Sequence, residues 1–226
     1  MLTPYDWQEG IGNRAQYIES KLSQGAPVLG LSLPTGILLF SFRRNTRKLF
    51  EIYDRLGFGA IGQQADVEAI RTSAVEFASR EGYQRSEEDV TIQRVVATMS
   101  QPIKRAFADF SSAPFVARCL FAEVGEEKNQ DLFYVLDYSG DFQIFDDIVV
   151  VCGENEFEKS IREAVGKMDL KKKPDDLVKP LGEAWKTQFK EHFSEIDLTD
   201  LDPEALLIER SRDKVDRFRW LTPERI

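Results

Sequence analysis

Pro27-Val-Leu-Gly-Leu-Ser-Leu33, then Pro34-Thr35-Gly36, then Ile37-Leu-Leu-Phe-Ser-Phe42 is the most informative stretch of the chain. Two apolar runs of strand length flank a short turn rich in turn formers, which predicts a β-hairpin. Ile37 to Phe40 is apolar without alternation, so this strand is expected to be covered on both faces. Beyond it, Leu49 to Tyr53 and Gly57 to Gly62 read as two more strands, with Asp54-Arg55 as a polar turn. Before the hairpin, Tyr17, Ile18 and Leu22 form a narrow apolar stripe. That predicts a helix over residues 13–24 with Gly25 as its stop. Residues 1–12 carry few apolar side chains and are expected to form a flexible tail.

After Gly62 the period changes. Val67, Ile70, Ala74, Phe77 and Ala78 share one helical face, and Ile92, Val95, Met99, Ile103, Phe107 and Phe110 another. A helix pair is therefore expected over residues 64–110, divided at Gly82, with Pro102 kinking the second member. Strands resume over Phe115–Val124, Leu132–Tyr138, Phe142–Phe145 and Ile148–Cys152. A second helical block follows, with Phe157, Ile161, Val165 and Met168 on one stripe and Leu177, Leu181, Trp185 and Phe189 on the next. Ser194 to Glu204 reads as an acidic loop. Two strands, Glu204–Glu209 and about Val215–Leu221, end the chain. The block order β, αα, β, αα, β differs from the strand-by-strand rhythm of doubly wound folds. The economical packing is an α+β, four-layered αββα sandwich, two sheets face to face with a helix pair on each outer side. Residues 13–226 are expected to form this single domain.

Composition narrows the chemistry. Thirty Lys and Arg against thirty-nine Asp and Glu give a net charge of -9, which argues against a nucleic-acid binder held by phosphates. No apolar stretch reaches membrane-spanning length and the N-terminus lacks the pattern of a secretory signal, so a cytoplasmic location is expected and a membrane role is not. His192 is the only histidine and Cys119 and Cys152 the only cysteines. No catalytic triad, zinc helix or disulfide framework can be assembled from that set, and no cofactor is expected. His192, at a helix end, reads as structural, and the two cysteines as buried packing residues.

The residues resemble those of one family. Gly30 in the first strand, Gly36-Ile-Leu-Leu, Arg43-Arg44, Lys48-Leu-Phe-Glu-Ile and Gly57 to Gly62 leading into Gln63-Gln64-Ala65-Asp66 are similar to 20S proteasome subunits, whose fold is the αββα sandwich of the N-terminal nucleophile hydrolases. Phe77-Ala78-Ser79-Arg80-Glu81-Gly82-Tyr83 with Asp89-Val90 resembles the bacterial α-type sequence. Catalytic β subunits of the family begin their first strand with a threonine, assisted by an aspartate and a lysine. With Gly30 as the register mark, those positions fall on Ala26, Phe42 and Lys48. A methyl group cannot attack a carbonyl, and a phenyl ring cannot accept or orient a proton. Thr35, in the turn, is no substitute. The resemblance therefore implies a non-catalytic α-type subunit that retains its N-terminal helix. Glu19 departs from the arginine that other α lineages carry at that place.

The resemblance also implies partners. An α subunit would sit in a seven-membered ring with neighbouring α subunits, cap a ring of β-type subunits, and gate the entry of unfolded protein substrates. Tyr5-Asp6 resembles the pair that stabilises an opened gate. Lys48, with Gly62, Gln63 and Gln64, matches the pocket that receives the C-terminal tails of a ring-shaped ATPase or other activator. The plainer reading makes Lys48 a solvated strand-end residue and Gly62 a turn glycine. Two other functions stay open at this point: a self-assembling hydrolase with an unrecognised nucleophile, and a homo-oligomeric scaffold without a protease partner.

Overall fold

In the computed structural model, which describes residues 4–192, 201–210 and 216–221, the hairpin forms where the turn chemistry puts it. β1 (Val28–Leu33) pairs antiparallel with β2 (Gly36–Arg43), from Val28 opposite Ser41 to Leu33 opposite Gly36. Every residue of β1 is buried. The reason is position: β1 and β2 lie inside a five-stranded sheet that also contains β8 (Ile148–Val151), β9 (Asp202–Glu209) and β10 (Phe218–Leu221), in the order β10-β9-β2-β1-β8. The second sheet has the order β3-β4-β5-β6-β7, formed by Leu49–Tyr53, Leu56–Gly62, Ala117–Glu123, Leu132–Leu136 and Phe142–Phe145. All neighbouring strands in both sheets are antiparallel.

Three apolar clusters hold four layers together. Val28, Ile37 and Leu39 from one sheet meet Leu120, Ala122 and Phe133 from the other, forming the central core. On the outer face of the second sheet, α2 (Gln64–Gln84) and α3 (Ile92–Ala108) bury Val67, Ile70, Val95 and Met99. On the outer face of the first, α4 (Asn155–Gly166) and α5 (Pro174–His192) bury Phe157, Ile161, Leu181 and Trp185. The chain is thus the αββα sandwich that its block order predicts, because each helix pair has one apolar stripe and each sheet two apolar faces.

Three local expectations are corrected. The first helix, α1, runs from Pro4 to Leu22 instead of over residues 13–24, so the expected boundary between a tail of residues 1–12 and the domain falls inside a helix. The added turns pack through Gly10, where a Cβ would meet the Phe110 ring at 2.8 Å. Arg14 donates to the carbonyls of Ala106 and Phe107 at 2.9 and 3.1 Å, closing the C-terminal end of α3, where unpaired carbonyls attract a cation. The buried face of α1 is formed by Ile18 and Leu22, whereas Tyr17 is half exposed. Second, Gly82 does not divide the helix pair. It lies within α2, where a Cβ would collide with the Tyr53 hydroxyl, and the break comes at residues 85–91. Third, α3 ends at Ala108, leaving Phe110 outside it, with the Arg14 guanidinium 5.0 Å from its ring. Most of the acidic stretch 194–204 and the expected strand start at Val215 lie outside the described residues.

Glu19 finds its partner across the sandwich. Its Oε1 accepts from the Arg118 guanidinium at 2.7 Å and from the Tyr138 hydroxyl at 3.0 Å, and Arg118 also donates to the carbonyl of Cys152. Glu19 thus fastens α1 to β5.

Candidate functional site

The β1–β2 hairpin places two residues at one end of the sandwich. Ala26 lies two residues before β1, with Pro27 between them, and Phe42 is the penultimate residue of β2. The chain then leaves the first sheet through a four-residue exposed link, Arg44 to Arg47, and Lys48 leads into β3 of the second sheet. Ala26, Phe42 and Lys48 consequently line one cleft of about 200 Å³, together with Arg44, Thr46 and Phe189. The Lys48 ammonium donates to the Ala26 carbonyl at 2.7 Å. Its backbone N–H donates to Glu204 Oε2 at 3.0 Å. Three segments far apart in sequence are tied at this point.

Burial governs the charges. Desolvation lowers the Lys48 amine from its ordinary 10.5 to about 8, against the opposing pull of the Glu204 carboxylate. Desolvation also pushes the Glu204 carboxyl up, while the Lys48 N–H and the nearby Arg43 charge pull it back. The sign of the lysine effect on stability follows from proton counting. Between pH 8 and 10.5 the unfolded chain holds a proton that the folded chain has released, so stability rises with pH across that window. The contribution is fully present above 10.5 and is lost as pH falls through about 8. A Lys48→Gln variant should lack this increment, which denaturant titrations of both proteins at pH 7.5 and 9.5, the first about 0.5 units below the window and the second about 1.5 units above its lower edge, will read.

The remaining predicted site residues lie apart from this cleft's lining. Gly62 ends β4, Gln63 is the residue that precedes α2, and Gln64 begins it; all three are exposed. Gly62 has φ +134°, and a Cβ there would collide with the Val116 carbonyl. This turn demands glycine whatever else it does. Gln63 N–H donates to that same carbonyl at 2.8 Å, and Asp66 Oδ2 accepts from Val116 N–H at 2.8 Å, so the strand-to-helix corner is fixed from both sides. The corner and the cleft adjoin through Ile61, whose Cβ is the neighbour that a side chain on Gly25 would meet. Tyr5 and Asp6 are in the first turn of α1, with Tyr5 83 % exposed. Thr35 is at the other end of the hairpin from Ala26.

Sequence reasoning missed Glu204, Phe189 and Leu201, which complete the cleft and its charge balance. It also missed the polar cluster at the opposite end. Asp131, fully buried, accepts two hydrogen bonds from Arg210 at 2.7 and 2.8 Å, one from Ser32 and one from the Gly125 N–H. No spacing announces pairs separated by 79 or 99 residues. His192 Nε2 lies 3.0 Å from Ser160 Oγ and packs edge-on against Phe157. Cys119 and Cys152 are buried and unbridged, and burial pushes the Cys152 thiol up to about 11, away from reactivity. Among the described residues no cluster of three metal-ligating side chains occurs, and no helix is long and apolar enough to cross a membrane.

Comparison with known proteins gives consistent results. The proteasome subunit family model matches residues 23–179. The chain is 30 % identical over 146 residues to a proteasome subunit alpha of Streptosporangium roseum, covering 64 % of this chain and 55 % of that one. It is 29 % identical over 160 residues to the Streptomyces griseus subunit alpha, covering 69 % and 59 %, and 28 % identical over 148 residues to that of Jonesia denitrificans, covering 65 % and 62 %. The matches span little more than half the length of these relatives.

Proposed function

The chain belongs to the proteasome subunit family, with α-type subunits among its relatives, and from that premise we propose that it is a non-catalytic α subunit of a 20S core particle. In this reading it forms the outer ring, gates entry of unfolded proteins to the chamber of a β-type ring, and docks the tails of a ring-shaped ATPase. One observation carries the proposal: at the head of β1 a methyl group, Ala26, stands beside the lysine and the phenyl ring that share its cleft. The charged amine is present without a nucleophile on residue 26 or an acid on residue 42, and the nearby Glu204 carboxylate is engaged by the Lys48 backbone N–H.

The cleft has chemistry suited to a chain end. At about 200 Å³ it is smaller than the pockets of roughly 300–1,000 Å³ that enclose whole small molecules. An ammonium has three N–H donors; Ala26 takes one, leaving donors for a terminal carboxylate. Replacing Lys48 by Gln should weaken a tail peptide about 10-fold or more, the usual size of a charge-assisted hydrogen bond. The same binding should fall as pH rises past about 8, where the free amine loses its proton. An amidated peptide should show neither effect. Fluorescence anisotropy with the free-acid and amidated peptides measures both. The gate is assigned to Tyr5 and Asp6 and the neighbouring wall of the docking site to Gly62, Gln63 and Gln64.

A hydrolase would need a hydroxyl or thiol at the cleft. Among the described residues Thr46 is the only such side chain lining it, and no hydrogen bond there joins Thr46 to the Lys48 amine. An N-terminal nucleophile also has to be freed by cleavage. An intact mass that retains the segment before Ala26 supports the α reading, whereas cleavage in front of a hydroxyl or thiol residue would overturn it.

A further inference from the structure

The link between the two sheets, Arg43-Arg44-Asn45-Thr46-Arg47-Lys48, contains the only adjacent pair of arginines in the sequence. Residues 44–47 are exposed and belong to neither β2 nor β3, so no strand pairing has to open to present them. Arg44, Asn45, Thr46 and Lys48 line the cleft, whereas the Arg47 guanidinium stands 4.4 Å from the Trp220 ring. The Thr46 hydroxyl makes no hydrogen bond among the described residues, and cations lie on both sides of it in the chain. The carboxylate that the Arg43 and Arg47 charges act on, Glu204, is only 4 % exposed and already accepts the Lys48 N–H. Positive charge at the cleft mouth is therefore in excess. Other described hydroxyls within two places after an arginine lack this setting. Thr72 and Ser73 are inside α2, and Ser86 Oγ accepts the Glu88 N–H beside Glu87 and Asp89.

We propose that Thr46 is a phosphorylation site, written by a protein kinase whose acidic substrate groove reads Arg43 and Arg44, and that its phosphate occupies the cleft in place of a tail carboxylate. The second half rests on the tail-docking reading; the first does not. The donor is the γ-phosphoryl group of a nucleoside triphosphate. The Thr46 Oγ1–P bond forms as the bond from phosphorus to the bridging β–γ oxygen breaks, the hydroxyl proton passes to a carboxylate of the kinase, and the nucleoside diphosphate leaves with the bonding pair. The product carries about −1.5 to −2 charges at neutral pH and three strong acceptor oxygens. Arg44 thus acts twice, first as a recognition residue and then as a partner for the phosphate. A tail carboxylate brings one charge from solution, whereas the phosphate is tethered two residues from Lys48 at high effective concentration.

The test incubates the full chain, and a peptide of residues 41–49, with ATP and an arginine-directed serine/threonine kinase, and reads the modified residues by peptide mass spectrometry. Phosphate is expected on Thr46 in both, absent in Thr46→Val, and reduced about 10-fold or more in Arg44→Ala. Modification of the peptide without the folded chain, or of neither, would overturn the proposal. The phosphorylated chain is then compared with the unmodified one. Its Lys48 amine should titrate above about 8, because a neighbouring anion favours the ammonium. Its affinity for a free-acid tail peptide should fall about 10-fold or more. A Lys48 titration unmoved by the phosphate would place the group outside the cleft and overturn the proposal even if tail binding fell. A tail peptide that does not bind the unmodified chain would overturn the docking reading alone, since Thr46 incorporation and the Lys48 shift are read without it.

Discussion

Replacing Asp131 by Ala is expected to destabilise the fold by about 3–5 kcal/mol, the usual cost of removing one partner from a buried ion pair. The carboxylate is fully buried and Arg210 only 10 % exposed at its side chain, so the guanidinium would lose its counter-ion with little access to water. Ser32 and the Gly125 N–H would lose their acceptor at the same time. Arg210 additionally donates to the Leu33 and Gly125 carbonyls, and its own N–H bonds to the Thr35 carbonyl, so the cluster pins the β1–β2 turn to the end of β9. Asp131→Asn keeps the shape and two acceptor sites but not the charge, and should fall between wild type and Ala. Urea denaturation at neutral pH measures all three. A loss below about 1 kcal/mol for the Ala variant would mean that the pair contributes no more than an exposed one. Since this cluster is at the far end of the hairpin, the Lys48 amine should still titrate near 8 in Asp131→Asn.

Trp185→Ala is expected to cost a similar about 3–5 kcal/mol, through cavity formation. Trp185 is fully buried, stacked on Phe189 at 4.4 Å and 11° and in contact with Phe42 at 4.5 Å and Phe157 at 6.1 Å between ring centroids. It is the hub between α4, α5 and β2. Its indole N–H has no hydrogen-bond partner among the described residues, so Trp185→Phe removes volume without orphaning an acceptor and should lose less than half as much. The effect reaches the site because Phe42 and Phe189 both line the Lys48 cleft. With the ring gone, water gains access and the desolvation that depresses the amine is relieved. The Lys48 titration should then move up from about 8 toward its ordinary 10.5, and tail binding should extend to higher pH. An unchanged titration in a folded Trp185→Ala protein would separate the aromatic stack from the electrostatics of the cleft.

What could be read from the sequence was whatever repeats locally. The hairpin followed from Pro34-Thr35-Gly36 and its apolar flanks, and the layers from stripes such as Leu177, Leu181, Trp185 and Phe189, all now buried on one face of α5. Ala26, Phe42 and Lys48 follow from the family resemblance with Gly30 as the register mark, and the structure gathers all three at one cleft. The errors have a common cause. Residues 4–12 offer only Trp7 and Ile11 as large apolar signals, yet they are helical, with Gly10 close against the Phe110 ring. Gly82 looked like a break because its close approach to Tyr53 leaves no trace in spacing. Glu204, which holds the Lys48 N–H across 156 residues, is invisible to any local pattern. Polar partners chosen by tertiary packing carry no period.

Native mass spectrometry of the full chain, co-expressed with a threonine-bearing β-type proteasome subunit, bears most directly on the assignment to an α ring. The expected result is a multi-ring particle in which this chain is intact ahead of Ala26 and the β chain alone is processed. A stable monomer that leaves the β subunits unassociated, or a particle in which this chain has itself been cut before a nucleophile, would contradict it.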